Sequence, residues 1–293
     1  MTAPSPVVFL GTPAAAVTVL DAIVRAGHPV ELVVTRPDAR RGRGNRTSPS
    51  PVKARAQELG LSVTDSLDDL AHAELPAGCT GVVVAYGRII PAAMLERIPM
   101  LNVHFSLLPR WRGAAPVERA MLAGDNTTGV CIMEMEAGLD TGPVRVRAET
   151  EIGKGDTAPV LTARLAEMGA RLMCEVLGGA HPVAVAQEGE VTYAHKISAT
   201  DLVIDWSATT DAVLRRIRAV PAHTSVGGKR LRIVDASPAT GTGRPGELSA
   251  DGSVATGDGR ILLGAVQPEG RNVMPAADWL RGANLGLPVV LGG

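Results

Sequence analysis

Residues 101–142 read LNVHFSLLPRWRGAAPVERAMLAGDNTTGVCIMEMEAGLDTG. A short apolar run, Pro99–Val103, leads into the stretch and carries a strand at Leu101–His104, and a second apolar run, Gly129–Met135, follows within it. Both read as buried strands. On an extended backbone residues i and i+2 point to one side, so Asn102 and His104 aim two hydrogen-bond donors at one point. Asp140 lies further on, in the turn Gly138-Leu139-Asp140-Thr141-Gly142. Two aimed donors and a carboxylate suit acyl transfer, in which a carbonyl oxygen becomes an oxyanion and an amine loses a proton.

Working outward, the same kind of apolar run recurs. Pro6–Leu10, Val30–Thr35 and Gly81–Ala85 read as strands, and Ser62–Val63 begins a shorter one. Helical patterns separate them: one has apolar positions Val17, Leu20, Ile23 and Val24, another covers Lys53–Leu59. This alternation predicts an α/β domain, Rossmann-like, with a predominantly parallel sheet. Val144–Ile152 adds a strand, and Thr157–Leu177 a helix with Leu161, Leu165, Met168, Leu172 and Val176 along one face. Open α/β sheets bind ligands at the carboxyl ends of their strands, where Ala85-Tyr86-Gly87 and Asn102–His104 fall. Gly11-Thr12-Pro13 shares that position but lacks both the GxGxxG pattern and a phosphate-loop lysine, which argues against a nucleotide there.

The pattern changes over Gly178–Ile197, a polar connector that includes Gln187-Glu188-Gly189-Glu190. A helix over Thr210–Val220 then leads into short strands at Arg230–Val234, Gly246–Leu248, Gly252–Thr256 and Arg260–Val266. Frequent turns between short strands predict a small barrel. The division expected is 1–180, a linker at 181–205, and 206–293.

Composition narrows the function. The chain has 293 residues and a net charge of −1, with 45% hydrophobic and only 2% aromatic residues. Its core must therefore be built from Ala, Val, Leu and Ile. Cys79, Cys131 and Cys174 are widely spaced and, with the scattered histidines, make no metal-ligand pattern; no metal is expected. No apolar stretch approaches the roughly 20 residues of a membrane span, and no signal region is evident at the N-terminus. A soluble, cytoplasmic monomer without a membrane partner is the expectation.

The segments around the Asn-x-His pair carry a resemblance. Ser106-Leu107-Leu108-Pro109, Arg112-Gly113-Ala114-Ala115-Pro116, Thr128-Gly129-Val130 and the GLDTG turn stand in order. Together they resemble the 10-formyltetrahydrofolate-dependent formyltransferases, and the resemblance extends over most of the chain. It implies that Asn102, His104 and Asp140 are the catalytic trio. It also implies that Ser106, Leu107, Leu108 and Pro109 bind tetrahydrofolate, with Arg88, Ile89, Ile90 and Gly138 beside the pterin. The co-substrate implied is 10-formyltetrahydrofolate. The tail resembles the OB-like C-terminal domain of the members that formylate charged initiator tRNA. Two places depart from the family: Ala14-Ala15-Ala16, and Val220-Pro221-Ala222-His223.

The acceptor expectation rests on charge. Arg36, Arg40, Arg41, Arg43, Arg46, Lys53 and Arg55 face one acid, Asp38, between residues 36 and 55. Gly42 and Gly44 make part of this segment a flexible loop, suited to phosphate contact. The family has a matching basic loop that reaches the acceptor end of initiator methionyl-tRNA, so the resemblance implies that Arg43 is a tRNA contact; Arg41 and Arg46 lie on the same loop and are expected to reach the acceptor end with it. Formyltransferases of small amines share the trio; the basic loop and barrel-like tail favour tRNA.

Overall fold

A computed structural model describes residues 4–40, 47–181, 183–286 and 288–292. The chain divides into two compact units. Unit 1 comprises Met1–Pro116, Thr127–Glu151 and Pro159–His195; unit 2 comprises Val117–Asn126, Ile152–Ala158 and Lys196–Gly293.

Unit 1 is built on a sheet of β1 (Val7–Gly11), β2 (Val30–Val34), β3 (Val63–Thr64), β4 (Thr80–Val84), β5 (Met100–His104), β6 (Thr127–Glu134) and β7 (Val144–Glu151). Their order is β7-β6-β5-β4-β1-β2-β3. The pairs β1–β2, β1–β4, β2–β3 and β4–β5 are parallel. β6 and β7 continue the sheet antiparallel. Every residue of β1 is buried, as befits a central strand covered on both faces. At the edge, β7 alternates from Arg147 onward and leaves Arg147, Glu149 and Glu151 exposed.

Helices follow the strands as the apolar spacing predicts. Helix α1 (Ala14–Arg25) buries Ala16, Val19, Leu20 and Ile23. Helix α2 (Pro51–Glu58) starts where Ser50 Oγ accepts from Lys53 N at 2.9 Å, with Pro51 in its first turn. Helix α3 (Ala158–Leu177) buries Leu161, Leu165, Ala166, Met173 and Val176. Gly169 on α3 lies against β5: a methyl there would meet Val103 Cγ1 at 2.5 Å. The strand that bears Asn102 and His104 is thus pressed by a helix that any side chain at this position would push away.

Unit 2 holds a second, antiparallel sheet. Its strands include β8 (His223–Val226), β9 (Lys229–Ala239), β10 (Glu247–Leu248), β11 (Ser253–Ala255), β12 (Arg260–Pro268) and β13 (Val289–Val290), in the order β8-β9-β12-β11-β10-β13, and Met274–Pro275 pairs antiparallel with β12 off this path. Gly292 N donates to Ser225 O at 2.9 Å, which ties the two edges together and nearly closes a barrel. Strand β9 runs well past the Arg230–Val234 expected, because register shifts near Asp235 carry the pairing on through Pro238 and Ala239. Helix α4 (Thr210–Ala219) is capped by Thr209, whose Oγ1 accepts from Ala212 N. Trp206, buried in this unit, donates from Nε1 to Thr224 Oγ1 at 3.0 Å. Among the described residues no helix is long and apolar enough to cross a membrane.

Candidate active site

The site forms at the carboxyl end of β5, beside the turn that leaves β6. Asn102 and His104 alternate onto one face of β5. Asn102 is partly buried, and among the described residues its side-chain amide has no hydrogen-bond partner. His104 is 5% exposed. Its Nε2 lies 2.9 Å from the carbonyl oxygen of Trp111. A carbonyl can only accept, so Nε2 carries the hydrogen. Nδ1 is left as the nitrogen that can take or release a proton, and it faces Asp140 Oδ2 at 3.7 Å.

Asp140 is held in a left-handed conformation, φ 50°. Its Oδ2 accepts from Gly113 N at 2.8 Å, which fixes the carboxylate beside the imidazole. Trp111 is also left-handed, φ 63°. Such conformations cost about 1 kcal/mol or more outside glycine and gather where the surroundings over-determine the backbone. Gly142 closes the turn against β6: a methyl there would strike the carbonyl oxygen of Glu134. Gly138, at the head of the turn, is exposed.

The other expected contacts divide by burial. Ser106 is fully buried and donates from Oγ to Arg110 O at 2.6 Å, bracing the loop that holds Trp111. Leu108 packs with Cys131, Met133 and Val144; Pro109 is buried and Leu107 partly so. Beyond β4, Ile90 joins the core of Val8, Leu10 and Val34. Ile89 is 92% exposed and Arg88 is exposed beside it. Thr12 Oγ1 donates to Tyr86 O at 3.0 Å, and Arg36 Nη1 donates to Gly87 O at 2.9 Å. These two bonds tie the Tyr86-Gly87 turn to its neighbours.

Arg41, Arg43 and Arg46 lie outside the described residues. On either side of them, Ala39–Arg40 and Thr47–Ser48 pair antiparallel. Lys53 pairs with Asp38 at 2.7 Å, and Arg55 with Asp21 and Glu58, so part of the charge counted in the sequence is answered locally.

Cys131 sits opposite His104 on β6. Burial pushes its thiol up to about 11, which makes it a packing group rather than a nucleophile. A cavity of about 290 Å³ lies at the other end of the sheet, lined by Ser5, Thr80, Pro99, Met100 and Leu177 among others. It contains none of the trio.

Sequence reading missed two contributors to the site. Arg112 and Gln187 meet beside Asp140: Gln187 Oε1 accepts from Arg112 Nη2 at 2.7 Å and from Nε at 3.1 Å. Arg112-Gly113 begins the Arg112-Gly113-Ala114-Ala115-Pro116 motif. Gln187 lies in the polar connector, and no local pattern marks it.

Known proteins place this architecture. The formyl transferase family model matches residues 6–177, and the formyl transferase C-terminal domain model matches residues 196–284. The chain belongs to the formyl transferase family. Within it, a methionyl-tRNA formyltransferase of Jannaschia sp. (strain CCS1) is 45% identical, with 97% of this chain and 99% of the relative covered. One of Paracoccus denitrificans is 45% identical, with 95% and 98% covered. Solved structures agree on the fold. HypX from Aquifex aeolicus in complex with tetrahydrofolic acid superposes at a TM-score of 0.69 and 18% identity, over 96% of this chain and 47% of HypX; this chain spans about half the length of that protein. Methionyl-tRNA formyltransferase from Clostridium thermocellum superposes at 0.55 and 16% identity, over 80% of this chain and 93% of that one.

Proposed function

We propose that this chain transfers the formyl group of 10-formyltetrahydrofolate to the α-amino group of methionyl initiator tRNA. The observation that carries the reading is the paired geometry of His104 and Asp140 in a chain matched end to end by methionyl-tRNA formyltransferases. The amine nitrogen attacks the formyl carbon, and the bond from that carbon to the folate nitrogen breaks. Asn102, its amide unpartnered among the described residues, donates to the formyl oxygen as that oxygen becomes negative. His104 is the proton carrier: its Nδ1 takes from Asp140 the proton the amine has lost and passes it to the departing folate nitrogen, while Nε2 stays committed to Trp111 O. Asp140 orients the imidazole and receives the amine proton, directly or through a water.

For the folate, Ser106, Leu107, Leu108 and Pro109 form one wall beside Asn102 together with Arg88, Ile89 and Ile90, with Gly138 next to them. The bare side chains of Ile89 and Leu139, 92% and 60% exposed, suit an apolar ring system. Arg41, Arg43 and Arg46 contact the acceptor end of the tRNA. Residues 1–180 are the catalytic domain and residues 206–293 the OB-like tRNA-binding domain, joined by 181–205. With so few aromatics in the tail, that domain holds phosphates rather than stacked bases. A charged tRNA as substrate places the enzyme in the cytoplasm, and it acts as a monomer.

The test is formylation of charged initiator tRNA against free methionine, at two salt concentrations. The tRNA should be strongly preferred, and its KM should rise steeply with salt because phosphate contacts release counterions. Replacing Arg41, Arg43 and Arg46 together with Ala should raise that KM roughly 10-fold or more and flatten its salt dependence. Equal use of both acceptors, insensitive to salt and to these substitutions, would leave a small-amine formyltransferase as the better reading.

A further inference from the structure

The connector between the two matched domains returns to the site. Val144 and Val185 exchange backbone hydrogen bonds at 2.8 and 2.9 Å. Further along, Tyr193–Ala194 pairs parallel with Arg112–Gly113. Thr192 Oγ1 accepts from Trp111 N at 2.9 Å, and Thr192 O from Arg112 N at 2.9 Å. The segment is thus stitched at one end to the strand after the Asp140 turn and at the other to the loop that carries Trp111 and Gly113. Between these stitches lies Gln187.

Gln187 Nε2 donates to two carbonyl oxygens of the turn, Asp140 O and Gly142 O, each at 2.8 Å. Its Oε1 accepts twice from the Arg112 guanidinium. One primary amide therefore uses both its hydrogens on the Asp140 turn and its oxygen on the loop whose Gly113 N–H holds the Asp140 carboxylate. Only a neutral side chain with a donor end and an acceptor end can do this. The Asp140 backbone is left-handed, φ 50°; a bond to its own carbonyl on one side and to its carboxylate on the other pins that conformation.

We propose that Gln187 is a positioning residue, which holds Asp140 against His104 by bridging the Gly138–Gly142 turn to Arg112. The inference rests on the reading of Asp140 as a participant in formyl transfer. It assigns part of the catalytic geometry to the connector, a segment that contributes no atom to the reaction.

Gln187→Glu is the informative variant, since it keeps the shape. Its carboxylate still accepts from Arg112 but offers no hydrogen to Asp140 O or Gly142 O and repels both. If Gln187 served only to satisfy Arg112, Glu would serve as well or better. The full chain is assayed as wild type, Gln187→Glu and Gln187→Ala, each alone and with Asp140→Asn, recording kcat and both KM values. Amide hydrogen exchange of a peptide covering residues 138–142 is followed in parallel. We expect kcat to fall about 10-fold or more in Gln187→Glu, with both KM values within about 2-fold. In the Asp140→Asn background the further loss should be under about 2-fold, because the two residues act on one interaction. Exchange over residues 138–142 should quicken about 10-fold in both variants while α3 is unchanged. Normal kcat in Gln187→Glu, losses that multiply with Asp140→Asn, or unchanged exchange over the turn would each overturn the proposal. A wild-type chain that does not formylate charged tRNA would overturn the functional reading instead, and the exchange arm would still judge the positioning.

Discussion

His104 in unit 1 and Arg260 in unit 2 are buried to the same depth, 5% and 6% exposed, and the protein treats them differently. All three nitrogens of Arg260 donate: Nε to Ser253 Oγ, Nη1 to Thr242 O, and Nη2 to Glu247 O, Ser249 Oγ and Ser253 O. Glu247 Oε1 lies 3.7 Å from Nη1 as counter-charge. Nothing of the guanidinium is left for a ligand; it pins β10, β11 and the Thr242 loop to β12. His104 spends one nitrogen on Trp111 O and keeps the other for the Asp140 side. Asn102, two residues back, has its whole side-chain amide uncommitted among the described residues. A buried polar group that the fold saturates is holding the fold; one left half-satisfied is available for chemistry.

The comparison breaks most easily at Arg260. Arg260→Ala would leave the buried Ser253 without its donor and strip Thr242 O, Glu247 O and Ser249 Oγ of theirs. Unfolding free energy should fall by roughly 2–4 kcal/mol, the loss of several hydrogen bonds from one charged donor, read by urea unfolding of the full chain. A loss below about 1 kcal/mol would show that saturation is no measure of structural weight.

His104→Ala and Asn102→Ala should invert that outcome. Turnover should fall roughly 100-fold or more, while unfolding free energy drops by no more than about 2 kcal/mol and folate binding is little changed. Near-normal turnover in either variant would remove Asn102 or His104 from the mechanism.

The contrast also explains what the sequence made legible. The strands of unit 1 were readable because a parallel sheet covered on both faces demands continuous apolar runs, as in Val7–Leu10 and Thr80–Val84. Asn102 and His104 were readable because strand alternation is local. Asp140 stood out through the glycines on either side, which the turn needs for space. Gln187 could not be found that way. Its role depends on a connector folding back over forty residues of chain, and its neighbours Glu188 and Gly189 look like any solvated loop. The short helices Leu67–His72, Ala92–Arg97 and Ala276–Gly282 escaped for a related reason: six or seven residues give too few turns for a periodicity to register.

A saturated group nearer the surface sharpens the comparison with the smallest effect. In unit 2, Asp201 accepts from Arg119 Nη1 and Nη2, each at 2.8 Å, and from Ser198 N and Oγ at 2.8 and 2.7 Å. The Arg119 guanidinium, with Ser198, holds its carboxyl well below the usual carboxylate range. Asp201 is saturated as Arg260 is, yet its side chain is 20% exposed, so water replaces lost partners more readily. Asp201→Asn should cost about 1–2 kcal/mol at pH 7. The sign of the pH dependence follows from the depressed pKa. Above about pH 4, the range of an unfolded aspartate, the carboxylate is ionised in both states and its bonds contribute fully. As pH falls, the unfolded chain takes up the proton first and that contribution is lost progressively. The gap between wild type and Asp201→Asn, measured by urea unfolding at pH 7 and at pH 3, should therefore narrow at the lower pH. A gap equally wide at both would mean that the variant disturbs packing around residues 198–201, and that saturation of the carboxylate has no separate weight.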